Sequence, residues 1–182
     1  MKWLVGIVVI ALLAVGGWFA FTQWFAGGDE EPVTDLEVAE ELGTRAVTLY
    51  FARADASGFV SETRSVPTSV HRESEVETVL AELLRGPHES GGIDAFPQGT
   101  RLTHAFFDEV LRILYLDFNG ALVTGIEPGS ASELAVLGSL LRTIALGFPE
   151  VESVQLLVSG REVETLSGHI DLTRPLRTRD WL

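Results

Sequence analysis

Few residues in this sequence have the types and spacing that chemistry needs. The four histidines, His71, His88, His104 and His169, stand far apart and lack the short spacing of metal ligands, so no metal site is expected. Asp108 and Asp117 flank one predicted hairpin, as the paired carboxylates of a hydrolase flank a scissile bond. Their settings point elsewhere. Asp108 stands beside Glu109 where a turn is needed, and Asp117 precedes Asn119-Gly120 at a strand end; short carboxylates at such places bond to backbone amides. His104 alternates with Leu102 and Phe106, which predicts a hydrogen-bonded residue on a mostly buried face. Glu62 and Arg64 share one face of a predicted strand and read as an exposed ion pair worth at most ~1 kcal/mol. Phe106-Phe107 read as core, and Trp181, beyond the last recognisable element in an Arg-rich tail, reads as the aromatic best placed to meet a partner. The sequence holds no G-x-S-x-G, S-x-x-K, H-E-x-x-H, Walker or dinucleotide-binding pattern. No catalytic, cofactor-binding or metal-binding residue is assigned, and no cofactor is expected.

Composition narrows the classes further. A net charge of −13 and a pI near 4.6, with Lys2 the sole lysine and the arginines scattered singly, argue against nucleic acid as a partner. The absence of cysteine excludes disulfides, thiolate metal sites, cysteine nucleophiles and a lipid-modified cysteine.

The elements that would position these residues are legible from periodicity. Val47, Leu49 and Phe51 alternate with polar neighbours as in a half-buried strand, and Asp55-Ala56-Ser57-Gly58 turns the chain into a second strand over 59–66. Ser74 with Glu77 has the form of a capping box, followed by a narrow apolar face of Val76, Val79, Leu80, Leu83 and Leu84 and a stop at Gly86-Pro87. Residues 87–99 read as a surface loop, then 101–107 and 111–118 as an antiparallel pair with Leu114, Leu116 and Phe118 on one face. After a connection over 120–129, Ser130 with Glu133 gives a second capping box. Leu134, Leu137, Leu141, Ile144 and Phe148 then define one helix face, with Ser132, Ser139, Arg142 and Thr143 opposite and Leu146 out of pattern, before the stop at Gly147 and Pro149. Residues 154–158 and 162–166, around Ser159-Gly160-Arg161, read as a closing hairpin. Two helices with single apolar stripes need a common surface. The expected fold is α+β, a two-layer sandwich of one mixed or antiparallel sheet with both amphipathic helices packed on one face.

Trp3 to Ala26 carries no charge, and at about 1.5 Å per residue a helix of that length crosses the ~30 Å apolar layer of a bilayer. Trp3, Trp18 and Trp24 lie toward its ends, as interfacial tryptophans do, and no good small-x-small cleavage site follows. The expectation is an uncleaved transmembrane helix in the cytoplasmic membrane. Lys2 precedes it and Asp29, Glu30 and Glu31 follow, which places the amino terminus in the cytoplasm and the remainder outside. The expected organisation is a transmembrane anchor over 1–26, an acidic linker over 27–44, one domain over 45–176 and a carboxy-terminal tail over 177–182.

Six segments in order carry a family resemblance: VTLYFA from Val47, LLRGP from Leu83, FPQGTRL from Phe96, LYLDFN from Leu114, GSASEL from Gly129, and FPEVESVQLLVSGREVETLSGHIDLTRPL from Phe148 to Leu176. Residues 45–176 resemble the GerMN domain of bacterial sporulation and spore-germination proteins. The resemblance implies an envelope-located, non-enzymatic module, similar to the small ring-building modules of envelope-spanning machines that lay helices on a short sheet. Its expected partners are the membrane and either itself or another envelope protein. The competing functions are a cell-envelope hydrolase and a sensory domain for a small ligand.

Overall fold

The computed structural model describes residues 43–182, and the expected anchor over 1–26 and most of the acidic linker lie outside the described residues. Among the described residues no helix is long and apolar enough to cross a membrane. The first pair of strands, β1 (Thr44–Ala52) and β2 (Phe59–Pro67), forms an antiparallel hairpin in unbroken register from Thr44 opposite Pro67 to Ala52 opposite Phe59. Val47, Leu49 and Phe51 are buried, as strict alternation requires. Helix α1 (Arg72–Leu84) buries Val76, Val79, Leu80 and Leu83. Strands β3 (Leu102–Asp108) and β4 (Ile113–Phe118) then pair antiparallel; a short helix α2 (Ala121–Thr124) and the long helix α3 (Ser130–Gly147) lead to β5 (Ser153–Val158), which runs parallel to β4. The far edge of β5 is shared. Its end pairs with β6 (Arg161–Glu162) and its start with β7 (Leu176–Arg177), both antiparallel.

The α+β class is confirmed, with one correction: the strands form two sheets, β1–β2 alone and the mixed sheet β3-β4-β5-β6 with β7 on β5. The reason lies in α3. Val136, Leu137, Ser139, Leu140, Leu141, Thr143 and Ile144 are all buried, which at 3.6 residues per turn covers about 200° of the helix surface. A helix on the face of one sheet hides a narrower stripe. Ser139 and Thr143, expected opposite the apolar face, are buried because β1 covers them, and the Thr143 hydroxyl accepts the Tyr50 amide at 3.0 Å. Leu134 and Leu146 fall at the two margins of the buried arc and are about half exposed. Gly138 is needed where β2 crosses: a Cβ there would come within 2.1 Å of the Phe59 ring. The buried side chains of both sheets and of α1 and α3 make one continuous core.

Other local expectations change for physical reasons. Neither helix is closed by its predicted capping box: α1 starts at Arg72 after His71, α3 at Ser130 after Gly129, and neither first turn has a side-chain cap. Replacing Ser130 with Ala therefore shifts stability by no more than about 0.5 kcal/mol, the range of a surface change, where a lost cap costs about 1; thermal melting distinguishes the two. The closing hairpin is shorter than expected. Ser159 and Gly160, both at positive φ, make a tight turn, but pairing ends at Glu162, and the remaining edge of β5 is taken by β7. Within residues 177–182, Thr178 is buried and Trp181 half-buried, while the other four are exposed. The Thr178 hydroxyl donates to the Val151 and Glu152 carbonyls, and Trp181 lies against the core.

Candidate functional site

A groove of about 640 Å³ opens where the β1–β2 turn meets the first turns of α3. Its walls are Ala52, Arg53, Ala54, Ala56, Gly58 and Phe59 from the hairpin, Ile93 from the long loop, Ser130 to Ser132, Leu134 and Ala135 from α3, and His169 and Ile170 from the loop before β7. Leu134 is 50% exposed and Ile93 37% exposed, so the groove presents aliphatic surface to solvent. The alanines keep it open, since a larger side chain on either wall would fill it. A volume of this size falls among those that take small ligands or short peptide segments.

The walls are built from polar interactions behind them. Glu133, on the first full turn of α3, is completely buried; its carboxylate accepts the amides of Leu166 (2.8 Å), His169 (2.9 Å) and Ile170 (3.3 Å), and the His169 Nδ1 lies 3.5 Å away. The acid expected to cap its own helix instead holds a loop 33 to 37 residues further on. The hairpin wall is pinned at its tip: Arg53 N donates to Gly58 O, Ala56 N to Arg53 O, and Ile93 N to Ala52 O at 2.8 Å.

A second polar cluster sits behind α1. Arg64 and Glu62, with side chains 9% and 4% exposed, pair at 2.8 Å. Arg64 also donates to the carbonyls of Glu82 (2.7 Å) and Gly86 (2.6 Å) at the end of α1, lies 3.5 Å from the Glu82 carboxylate and covers the Phe51 ring at 5.4 Å. Glu62 accepts the amides of His88 (3.1 Å) and Glu89 (2.8 Å). The expected exposed pair is thus a buried clamp joining β2, the end of α1 and the loop after it. Burial acts to raise the Glu62 pKa, but the Arg64 hydrogen bond, the two amides and the Arg64 charge outweigh it and hold the carboxyl below its ordinary value.

The remaining residues singled out for chemistry are dispersed. His71 precedes α1, His88 enters the clamp only through its backbone amide, and His169 borders the groove. His104 is exposed, not buried, its Nδ1 3.8 Å from Asp117. An irregularity in register between Leu102 and His104 breaks the alternation on which the buried reading rested. The same change leaves Phe107 in the core and Phe106 58% exposed beside Tyr115. Asp108 accepts the Val110 and Leu111 amides, and Asp117 accepts the Gly160 amide at 2.8 Å. They sit at opposite ends of β4, since Asp108 faces Ile113. Among the described residues no three His, Asp or Glu side chains gather as a metal site would require.

Sequence reasoning did not find the groove. Its signal, in retrospect, is two alanine-spaced stretches, ARADASG from Ala52 and SASELA from Ser130, which only the packing of β1 on α3 brings face to face.

Comparison with known proteins fixes the family. Three solved structures share the fold: a candidate lipoprotein from Clostridium perfringens (TM-score 0.54, 21% identity, 79% of this chain and 94% of that one), the tandem GerMN domains of the sporulation protein GerM from Bacillus subtilis (0.55, 19%, 79% and 49%), and the first of those domains alone (0.56, 18%, 75% and 100%). The chain thus spans about half of the tandem structure. No curated protein matches. The family Germane, described as sporulation and spore germination, matches residues 48–164, well over half of the sequence, and the chain belongs to this GerMN-related family.

Proposed function

We propose that this chain is a non-catalytic binding module of the cell envelope, tethered to the cytoplasmic membrane by its Trp3–Ala26 segment and acting by association with another envelope protein or with copies of itself. The observation that carries the reading is the open groove between the hairpin and α3, whose walls are mostly aliphatic. Family membership supports it, and one structural relative is a candidate lipoprotein. This chain has no cysteine to lipidate, so its own attachment rests on the uncharged amino-terminal segment. Tethering matters energetically. Confinement near a membrane raises the effective concentration of partners, so a modest contact suffices.

The test compares full-length protein in intact membranes with the same domain detached from its first 43 residues. The intact amino terminus is expected in the membrane pellet, and chemical crosslinking there is expected to join the domain to a discrete protein that the detached form captures poorly. A soluble product beginning near Gly17 contradicts the tether. Failure of both forms to crosslink to any protein, with turnover of an envelope substrate by the detached domain, replaces association with hydrolysis.

A further inference from the structure

The polar fittings of the groove are uneven in sign. Arg53 and His169 line it together with the hydroxyl-bearing Ser130 and Ser132, and no acidic side chain does. The acids closest in sequence each accept backbone amides, Glu133 those of three loop residues, Asp55 that of Ser57, Asp94 that of Phe96 and Asp171 that of Thr173, and Asp55 also lies within the field of the Arg53 charge. On a chain of net charge −13, a groove whose one charged wall residue is the basic Arg53 runs against the average surface. The base of the Arg53 side chain is also fixed, because its backbone is bonded to Gly58 and Ala56 and bridged to Gly92.

We propose that the groove binds an apolar peptide segment bearing a carboxylate, supplied by another envelope protein. The inference deepens the association reading and rests on it. In this arrangement Arg53 pairs with the carboxylate through its planar guanidinium, which suits a two-pronged contact, while Ile93, Leu134 and Ile170 take the aliphatic side chains. The alanines at 52, 131 and 135 leave the room for them.

The probe is a pool of acetylated tetrapeptides built from Ala, Val, Leu, Ile and Phe, prepared once with free carboxylates and once as carboxamides. Each pool is titrated into full-length protein in nanodiscs, and binding is read from the methyl resonances of Ile93, Leu134 and Ile170. The acid pool is expected to bind about tenfold more tightly than the amide pool, and the gap is expected to narrow at high salt. Arg53→Gln is expected to bring the two pools within about twofold of each other. Should that variant fold poorly, the acid-against-amide comparison on the unsubstituted protein still decides. Equal affinities, silence of all three methyl groups, or dodecanoate binding more tightly than the acid pool overturn the proposal, the last by assigning the groove to an acyl carboxylate. A silent groove alongside persistent protein crosslinks in membranes removes this inference alone, whereas loss of those crosslinks removes the association reading beneath it.

Discussion

Glu62→Ala is expected to lower the stability of the domain by about 3–5 kcal/mol, because it leaves a buried guanidinium without its closest counter-charge. The same change orphans the His88 and Glu89 amides, so the loop after α1 loses its attachment to β2. Arg64→Ala alone should also be severe, since the Glu82 carbonyl in the last turn of α1 and the Gly86 carbonyl just after it both accept from Arg64. The double variant should cost clearly less than the sum of the two single ones, which denaturant melts will show. The clamp also sets a pH dependence. Because the folded Glu62 carboxyl lies below its ordinary value of 4.5, its contribution is fully present above that pH and is lost as pH falls through the lower folded value. Acid unfolding below about pH 4.5 should thus be shallower in Glu62→Gln than in the unsubstituted protein. Parallel slopes would show that Glu62 does not titrate with unfolding.

Glu133→Ala is the second large effect, expected at about 3–5 kcal/mol, since the buried Leu166 amide and the part-buried amides of His169 and Ile170 would all lose their acceptor. Its signature is local. Hydrogen exchange at Leu166, His169 and Ile170 should accelerate under conditions where α1 remains protected, because the loop is released before the core opens. Glu133→Gln retains one acceptor oxygen and should fall between the two. Since His169 and Ile170 form one wall of the groove, the same release should widen it and weaken whatever binds there. Uniform acceleration of exchange across the whole domain would instead make Glu133 an ordinary core residue.

These two carboxylates show where the sequence was legible and where it was not. Strands β1, β2, β4 and β5 and helices α1 and α3 follow from alternation, helical spacing and Gly-Pro stops, all of which act within a few residues. Local pattern cannot say what lies on the far side of an element. The separation into two sheets went unseen because β1 reads the same whether its buried face meets a shared sheet or an independent helix. Glu62 and Arg64 read as exposed because their partners, at the end of α1 and in the loop after it, arrive 18 to 27 residues later. Ser130 and Glu133 have the spacing of a capping box, yet Glu133 is drawn away by amides that folding brings to it. His104 failed through one irregularity in register, which no periodicity announces. The groove is wholly tertiary, assembled from a turn, a helix start and two loops.

The proposed association places the partner at this groove. A photo-reactive amino acid in place of Leu134, half exposed on the groove wall, tests it in full-length protein illuminated in native membranes. The expected result is a discrete protein adduct that forms from this position, disappears when the domain is detached from its amino-terminal segment, and is weakened by Glu133→Ala. An adduct from exposed positions remote from the groove, such as Val110, but none from position 134 would contradict it.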